Sequence, residues 1–313
     1  FEGPPLAAAI CIRGPCGQHA RFCHPLGSGL VIRRWLASTE LSACGLRRVL
    51  VVCFVRTRGG TVVWSALLPQ LREIAVITVG IDDTDVLDAP GTNQLARHLV
   101  QQLAHRWRAK LITRHQLLVD PRVPCTRRNG CVAIAFESAE AADAAELETA
   151  IEQLMLAWCP AGSDPGLCLV TGKVPAEVVD FGRRCQTDLV TQANARELAK
   201  EHSIWLSGLG GTNDGVIGAL AATGLMATGD DGRVIYLGKA ATDHFDISGV
   251  YPVNRLQEFG VDEVRNLQSQ ELVTNGAVAL GKRLRPNYRH GKVVLFVSPA
   301  TCPGTDWLAE RVL

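Results

Sequence analysis

No stretch of the 313 residues is apolar over the roughly 20 consecutive positions that a bilayer-spanning helix needs, so no membrane role is expected. The eleven cysteines contain no Cys-x-x-Cys pair and no compact framework, which argues against zinc ribbons and disulfide scaffolds. A charge bias is also missing: 32 basic residues against 31 acidic ones leave a net charge of +1. Disorder over most of the length is excluded by a hydrophobic share of 47% with 20% charged residues. The length allows one large domain or two ordinary ones.

One absence is local. Asp, Asn, Lys and Tyr do not occur at all in residues 1–81, although they occur 33 times afterwards. The same stretch carries five cysteines (Cys11, Cys16, Cys23, Cys44, Cys53), nine arginines and three acids, a charge of about +6 against about −5 for the remainder. Two readings compete. One is a basic, cysteine-rich arm for a nucleic acid or a metal. The other, which is favoured, is GC-rich upstream DNA translated in frame, so that residues 1–75 are a non-native read-through or disordered segment. Val76-Ile77-Thr78-Val79 then reads as a natural first strand that could follow a GTG start. Arg47, Arg48, Arg56 and Arg58 break the apolar pattern that a secretory signal requires.

From Ile74 onward, periodicity is informative. Ile74 to Ile81 is a β-branched run that reads as a buried strand, and Asn93 to Arg108 places Leu95, Leu99, Val100 and Leu103 at helical spacing. Strands are expected at Lys110 to Leu118, Cys131 to Phe136, Leu167 to Val170 and Ile204 to Ser207, and helices at Ala139 to Trp158, Pro175 to Ala199 (one or two) and Val216 to Leu225. The tail alternates short strands, Val234 to Leu237, Val278 to Leu280 and Lys292 to Val297, with turns. Interleaved strands and helices without a repeat give an α/β or α+β class.

Three features carry chemistry. Asp82, Asp83 and Asp85 sit at the carboxyl end of the first buried strand. Clustered carboxylates raise one another's pKa unless a cation neutralises them, and an all-oxygen set suits Mg²⁺, although capping of the next helix would also use an Asp. The loop Gly208-Leu209-Gly210-Gly211-Thr212-Asn213-Asp214-Gly215 precedes a helix, so its backbone amides could cradle a phosphate; it matches neither the Walker A nor the dinucleotide pattern. Thr126-Arg127-Arg128-Asn129 lies in a loop where either arginine could clamp a phosphate or a carboxylate. His115 is read as structural, and Cys125, Cys131, Cys159, Cys168 and Cys185 as buried thiols of a cytoplasmic protein.

Four motifs in order carry a resemblance: Val79-Gly80-Ile81-Asp82-Asp83-Thr84-Asp85 with Gly91, Pro124-x-Thr126-Arg127-x-Asn129-Gly130, Asp164-Pro165-Gly166, and Gly208 to Gly224 ending Ile217-Gly218-Ala219-Leu220-Ala221-Ala222-x-Gly224. The chain resembles the archaeal isoleucine-tRNA 2-agmatinylcytidine synthetase family over about residues 76–228, more weakly to about 298. The resemblance implies an ATP-binding kinase-like α/β domain with an interleaved or packed ferredoxin-like domain, the latter's C-terminal part falling in 229–313. It implies that Asp82, Asp83 and Asp85 hold Mg²⁺ and ATP in a catalytic role. Gly208, Gly210, Gly211, Thr212, Asn213 and Gly215 would lie near the phosphates, and Thr126, Arg127, Arg128 and Asn129 near the acceptor.

In that family such a site phosphorylates an anticodon cytosine so that agmatine can displace the phosphate. This chain departs from the family at Gly91-Thr92-Asn93-Gln94-Leu95, where Gln94 replaces the family's phosphorylated threonine. Residues 229–313 hold one cysteine, Cys302, and leave no room for the family's OB-fold and zinc ribbon. With the charge of about −5 after residue 81, a small-molecule acceptor is expected and tRNA is not favoured. A tRNA-modifying ligase working with a separate RNA-binding chain, and a non-catalytic nucleotide sensor, are the alternatives. The residues do not fix the oligomeric state.

Overall fold

A computed structural model describes residues 31–41, 47–57, 60–69, 75–138, 143–238 and 247–312. The chain divides into two compact units, residues 1–72 and 73–313. In the first, strands β1 (Val31–Leu41), β2 (Arg47–Thr57) and β3 (Gly60–Pro69) form an antiparallel meander with β2 in the middle. Of the stretch expected to be read-through or disordered, residues 1–75, the structure describes these strands and Ala75; the rest, Cys11, Cys16, Cys23 and Cys44 included, lies outside the described residues.

The second unit is a mixed α/β fold with a large, mostly antiparallel sheet. Its first elements run β4 (Ala75–Asp82), α1 (Thr92–Leu103), β5 (Arg108–Arg114), β6 (Val132–Ser138), α2 (Asp143–Trp158) and β7 (Gly166–Thr171). The strand order is β5-β6-β4-β7, every neighbour antiparallel. β4 and β5 are therefore parallel to each other with β6 between them, and β6 and β7 are parallel with β4 between: two interleaved βαβ units. α3 (Ala176–Thr187), α4 (Gln192–Glu201), β8 (Trp205–Gly208), α5 (Gly215–Ala227) and β9 (Arg233–Leu237) follow, with β8 joining β7 and β9 joining β5 at the two ends of the row.

Both faces of this sheet are covered. Ile77, Val79 and Ile81 of β4 alternate onto one face and pack with Leu95, Leu99, Val100 and Leu103 of α1 and Leu147, Ile151 and Met155 of α2. On the other face Ala133, Ala135, Cys168 and Val170 meet α5, which α3 and α4 cover from outside. A helix between a sheet and two other helices has no wet side, which explains why Val216, Ala219 to Ala222 and Leu225 are apolar all round. Close approach needs small residues: a Cβ on Gly80 would overlap the carbonyl of Ala219.

The remaining strands are short: β10 (Val250–Pro252), β11 (Glu263–Asn266), β12 (Ala277–Ala279), β13 (Asn287–Arg289), β14 (Lys292–Pro299) and β15 (Trp307–Ala309), with a 3-10 helix at Val253–Phe259. They continue the sheet from β9 through β13 and β14, yet enclose their own apolar cluster of Ile247, Val253, Leu256, Val264, Val278, Leu295 and Val297.

Several boundaries differ from the sequence expectation. α1 ends at Leu103 because Trp107 turns into the core and β5 begins at Arg108. The stretch 175–199 is two helices, the second capped at Thr191, whose hydroxyl accepts from the Asn194 amide at 3.3 Å. The expected start of α2, residues 139–142, lies outside the described residues.

Candidate active site

β4 delivers Asp82 at its last position, and the chain then turns sharply. Asp83 adopts a left-handed conformation, φ 51°, uncommon for a residue with a side chain. Thr84 is fully buried and donates to the Thr92 hydroxyl at 3.0 Å, fixing the loop to the first residue of α1. The Asp83 carbonyl accepts from the Asp164 amide at 3.0 Å, which draws in the loop before β7. A Cβ on Gly218 would clash with the Asp82 carboxylate, so α5 also leaves a slot for that side chain.

Five carboxylates share this corner. Desolvation pushes Asp82 up to about 7, against a hydrogen bond from the Asp83 amide and with further repulsion from Asp83 and Asp85. Asp83 is pushed up to about 6, first by desolvation and then by Asp164, Asp85 and Asp214. Desolvation raises Asp85 as well, opposed by Arg127. Carboxylates that burial and mutual repulsion make hard to ionise form the electrostatic setting in which a cation binds.

Asp164 has a second task that the sequence reading missed. Its carboxylate accepts hydrogen bonds from the Thr212 amide at 3.1 Å, from the Thr212 hydroxyl and from the Asn213 amide at 2.5 Å. The two amides expected to hold a phosphate therefore hold Asp164. Gly208 packs against the Asn213 side chain, Gly210 and Gly211 against the 163–165 turn, and Gly215 against the Asp164 carbonyl. The loop thus docks on the turn before β7.

The loop before β6 ties to the aspartate loop. The Thr126 hydroxyl donates to the Asp85 carbonyl at 3.4 Å, and Arg127 donates to the Leu87 carbonyl at 2.7 Å. Asn129 donates to the Leu118 carbonyl at 2.8 Å, so it braces its own loop. Of the two arginines only Arg128 is left toward the cavity without a hydrogen-bond partner among the described residues. Its field reaches two further arginines absent from the sequence-derived set, Arg114 on β5 and Arg233 on β9.

These pieces meet around one cavity of about 950 Å³. Asp82, Asp83, Asp85, Thr126, Arg127, Arg128, Asn129, Thr212 and Gly215 line it; Gly208, Gly210, Gly211 and Asn213 do not. Asp164, Asp214, Arg114 and Arg233 also line it. The volume lies within the range of small-molecule and cofactor sites. At its edge the side-chain oxygen of Asn93 is buried with no partner. Among the described residues no three His, Cys, Asp or Glu side chains converge on a single metal position. The all-oxygen donor set at this corner fits a hard cation held by one or two carboxylates, with other oxygens completing the shell.

Two flanking residues have defined places. Gln94 caps α1, its side-chain oxygen accepting from the Gly91 amide at 2.9 Å. His115 is fully buried between Thr113 (2.7 Å) and Asp231 (3.3 Å), and does not line the cavity.

Fold and site together define an α/β protein whose antiparallel sheet ends in an acidic cavity with an arginine wall. About half the chain is similar to solved structures of TiaS, a tRNA agmatidine synthetase. A complex of TiaS with its tRNA and ATP matches with 24% identity and a TM-score of 0.42 over 49% of this chain and 36% of that one. A complex of TiaS with tRNA, AMPCPP and agmatine matches at 22% and 0.41 over 48% and 36%, and a tRNA fluorescent labeling enzyme at 24% and 0.42 over 48% and 36%. This chain thus spans about a third of those chains. No protein-family model and no curated protein matches it.

Proposed function

We propose that this chain is an Mg–ATP-dependent enzyme that activates an acceptor by phosphoryl transfer. The observation that carries the reading is the meeting, in one cavity, of the 82–85 carboxylates, the 124–130 loop and the N-terminal end of α5. Mg–ATP, when bound, would supply the phosphoryl group and neutralise the acidic corner. Asp83 and Asp82 or Asp85 hold the cation, Asp164 keeps the turn and the α5 entrance in register, and α5 directs its positive end at the cavity. Thr126 and Arg127 tie the acceptor side to the aspartate loop, so that positioning and electrostatics are the protein's contribution.

A second reading, an RNA acceptor and hence a tRNA-modifying ligase, is favoured by one observation. The net charge of about −5 after residue 81 is unevenly spread, with Arg114, Arg128 and Arg233 gathered on one wall. Labelled ATP incubated with Mg²⁺ and either RNA or small carboxylates and amides tests both. Acceptor-dependent cleavage that drops at least about a hundredfold in Asp83→Asn is expected. Cleavage untouched by that change would reject the assignment, and ATP bound but never cleaved would make the chain a nucleotide sensor.

A further inference from the structure

Arg114 and Arg233 stand directly opposite each other on adjacent antiparallel strands, β5 and β9. Like charges in that position repel, and an anion held between them would relieve the repulsion. Both side chains are partly buried and both line the cavity, where the exposed Arg128 joins them. None of the three donates a hydrogen bond or lies within 4.0 Å of a carboxylate among the described residues. Asp82 reaches Arg114 only as a weak, longer-range field. Some arginines of the same unit are paired: Arg265 meets Glu263 at 2.7 Å and Arg255 meets Glu258 at 2.9 Å. What sets the wall apart is that its three arginines meet at one cavity.

We propose that Arg114, Arg128 and Arg233 form an anion subsite, separate from the carboxylate corner, that holds a phosphate group of the acceptor. Guanidinium groups suit this because their planar donors pair with two phosphate oxygens at once and lose little hydration. Desolvation and the fields of Arg114, Arg285, Arg283 and Arg128 bring Arg233 down to about 10, which agrees with an uncompensated positive cluster. Arg285 in turn feels Arg311 and Arg283, so the positive field continues from the cavity wall to these three C-terminal arginines. The phosphate belongs either to a free phosphate ester or to the backbone of an RNA strand. The proposal names the acceptor's chemistry and so rests on the phosphoryl-transfer reading, but its test does not need ATP.

The test uses the whole protein in EDTA, which silences the cation corner, with inorganic phosphate and a short oligouridylate as probes. Binding of at least one probe is expected, weakened roughly ten- to hundredfold in Arg114→Gln/Arg233→Gln. The doubly substituted Arg114→Lys/Arg233→Lys protein keeps the charge but loses the bidentate donors, so it should bind more weakly than the wild type and more tightly than the Gln variant, an intermediate affinity that guards against a folding artefact. Thermal stability of the Gln variant should equal or exceed that of the wild type, because repulsion has been removed. If oligouridylate binds more tightly with a steep salt dependence, the phosphate comes from a strand; if phosphate alone binds as well, it comes from a small ester. Unchanged affinity for both probes in the Gln variant, or no binding by wild type, overturns the subsite. Absence of Mg–ATP binding alongside arginine-dependent phosphate binding would instead overturn the phosphoryl-transfer reading and leave the subsite standing.

Discussion

Asp82 and Asp83 have carboxyl groups that folding makes harder to ionise, up to about 7 and about 6 from an ordinary 3.8. A raised carboxyl pKa means that the folded state binds more protons than the unfolded one between those values. Their contribution to stability is therefore complete below about 4 and is lost as pH rises toward 7. Replacing Asp82 by Asn removes its share of this dependence, so the variant should gain melting temperature relative to wild type between pH 5 and pH 8, in the absence of divalent cations. Mg²⁺ should raise the wild-type melting temperature more at pH 8 than at pH 5, and thermal denaturation at both pH values checks both statements. Asp164 acts through its hydrogen bonds. Removing its carboxylate strands the Thr212 and Asn213 amides, and Asp164→Ala should cost about 2 kcal/mol in urea denaturation.

At the scale of elements, stability depends on how near α5 lies to β4. A methyl group at Gly80 has no space beneath Ala219, so Gly80→Ala should lose about 1–3 kcal/mol, read from the denaturation midpoint. Leu99→Ala, in the fully buried seam between α1 and the sheet, should lose about 2–5 kcal/mol. The elements around the site were legible from sequence because their patterns are local: alternation along β4, helical spacing in α1, a uniformly apolar α5. The sheet's antiparallel order was not, since it depends on pairings such as Val79 with Ile134 and Leu169, dozens of residues away. Nor were β10, β13 and β15, three residues each, which are too short to show a period, although β12, equally short, was marked by the apolar run at Val278 to Leu280.

For the molecule as a whole, the same distinction separates the parts of the cavity. Asp82, Asp83 and Asp85 could be found because they adjoin one another in the chain, and Thr126 to Asn129 because they form one loop. Asp164's hold on Thr212 spans 48 residues, and Arg114 meets Arg233 only through strand pairing, so neither role leaves a mark in a single sequence. The packing of the glycine loop was hidden for a related reason: glycine serves close packing and ligand approach alike, and the contact with Asp164 that shows the packing lies 49 residues away in the chain. Charge behaves similarly, since a net value of about −5 conceals carboxylates and arginines gathered around one cavity. Calorimetric titration of ATP into the purified chain, with Mg²⁺ and again with EDTA, compares this polarity with its chemical consequence most directly. Binding that requires Mg²⁺ in the wild type and disappears in Asp83→Asn is the predicted result; equal affinity with and without the metal, or in the variant, would contradict it.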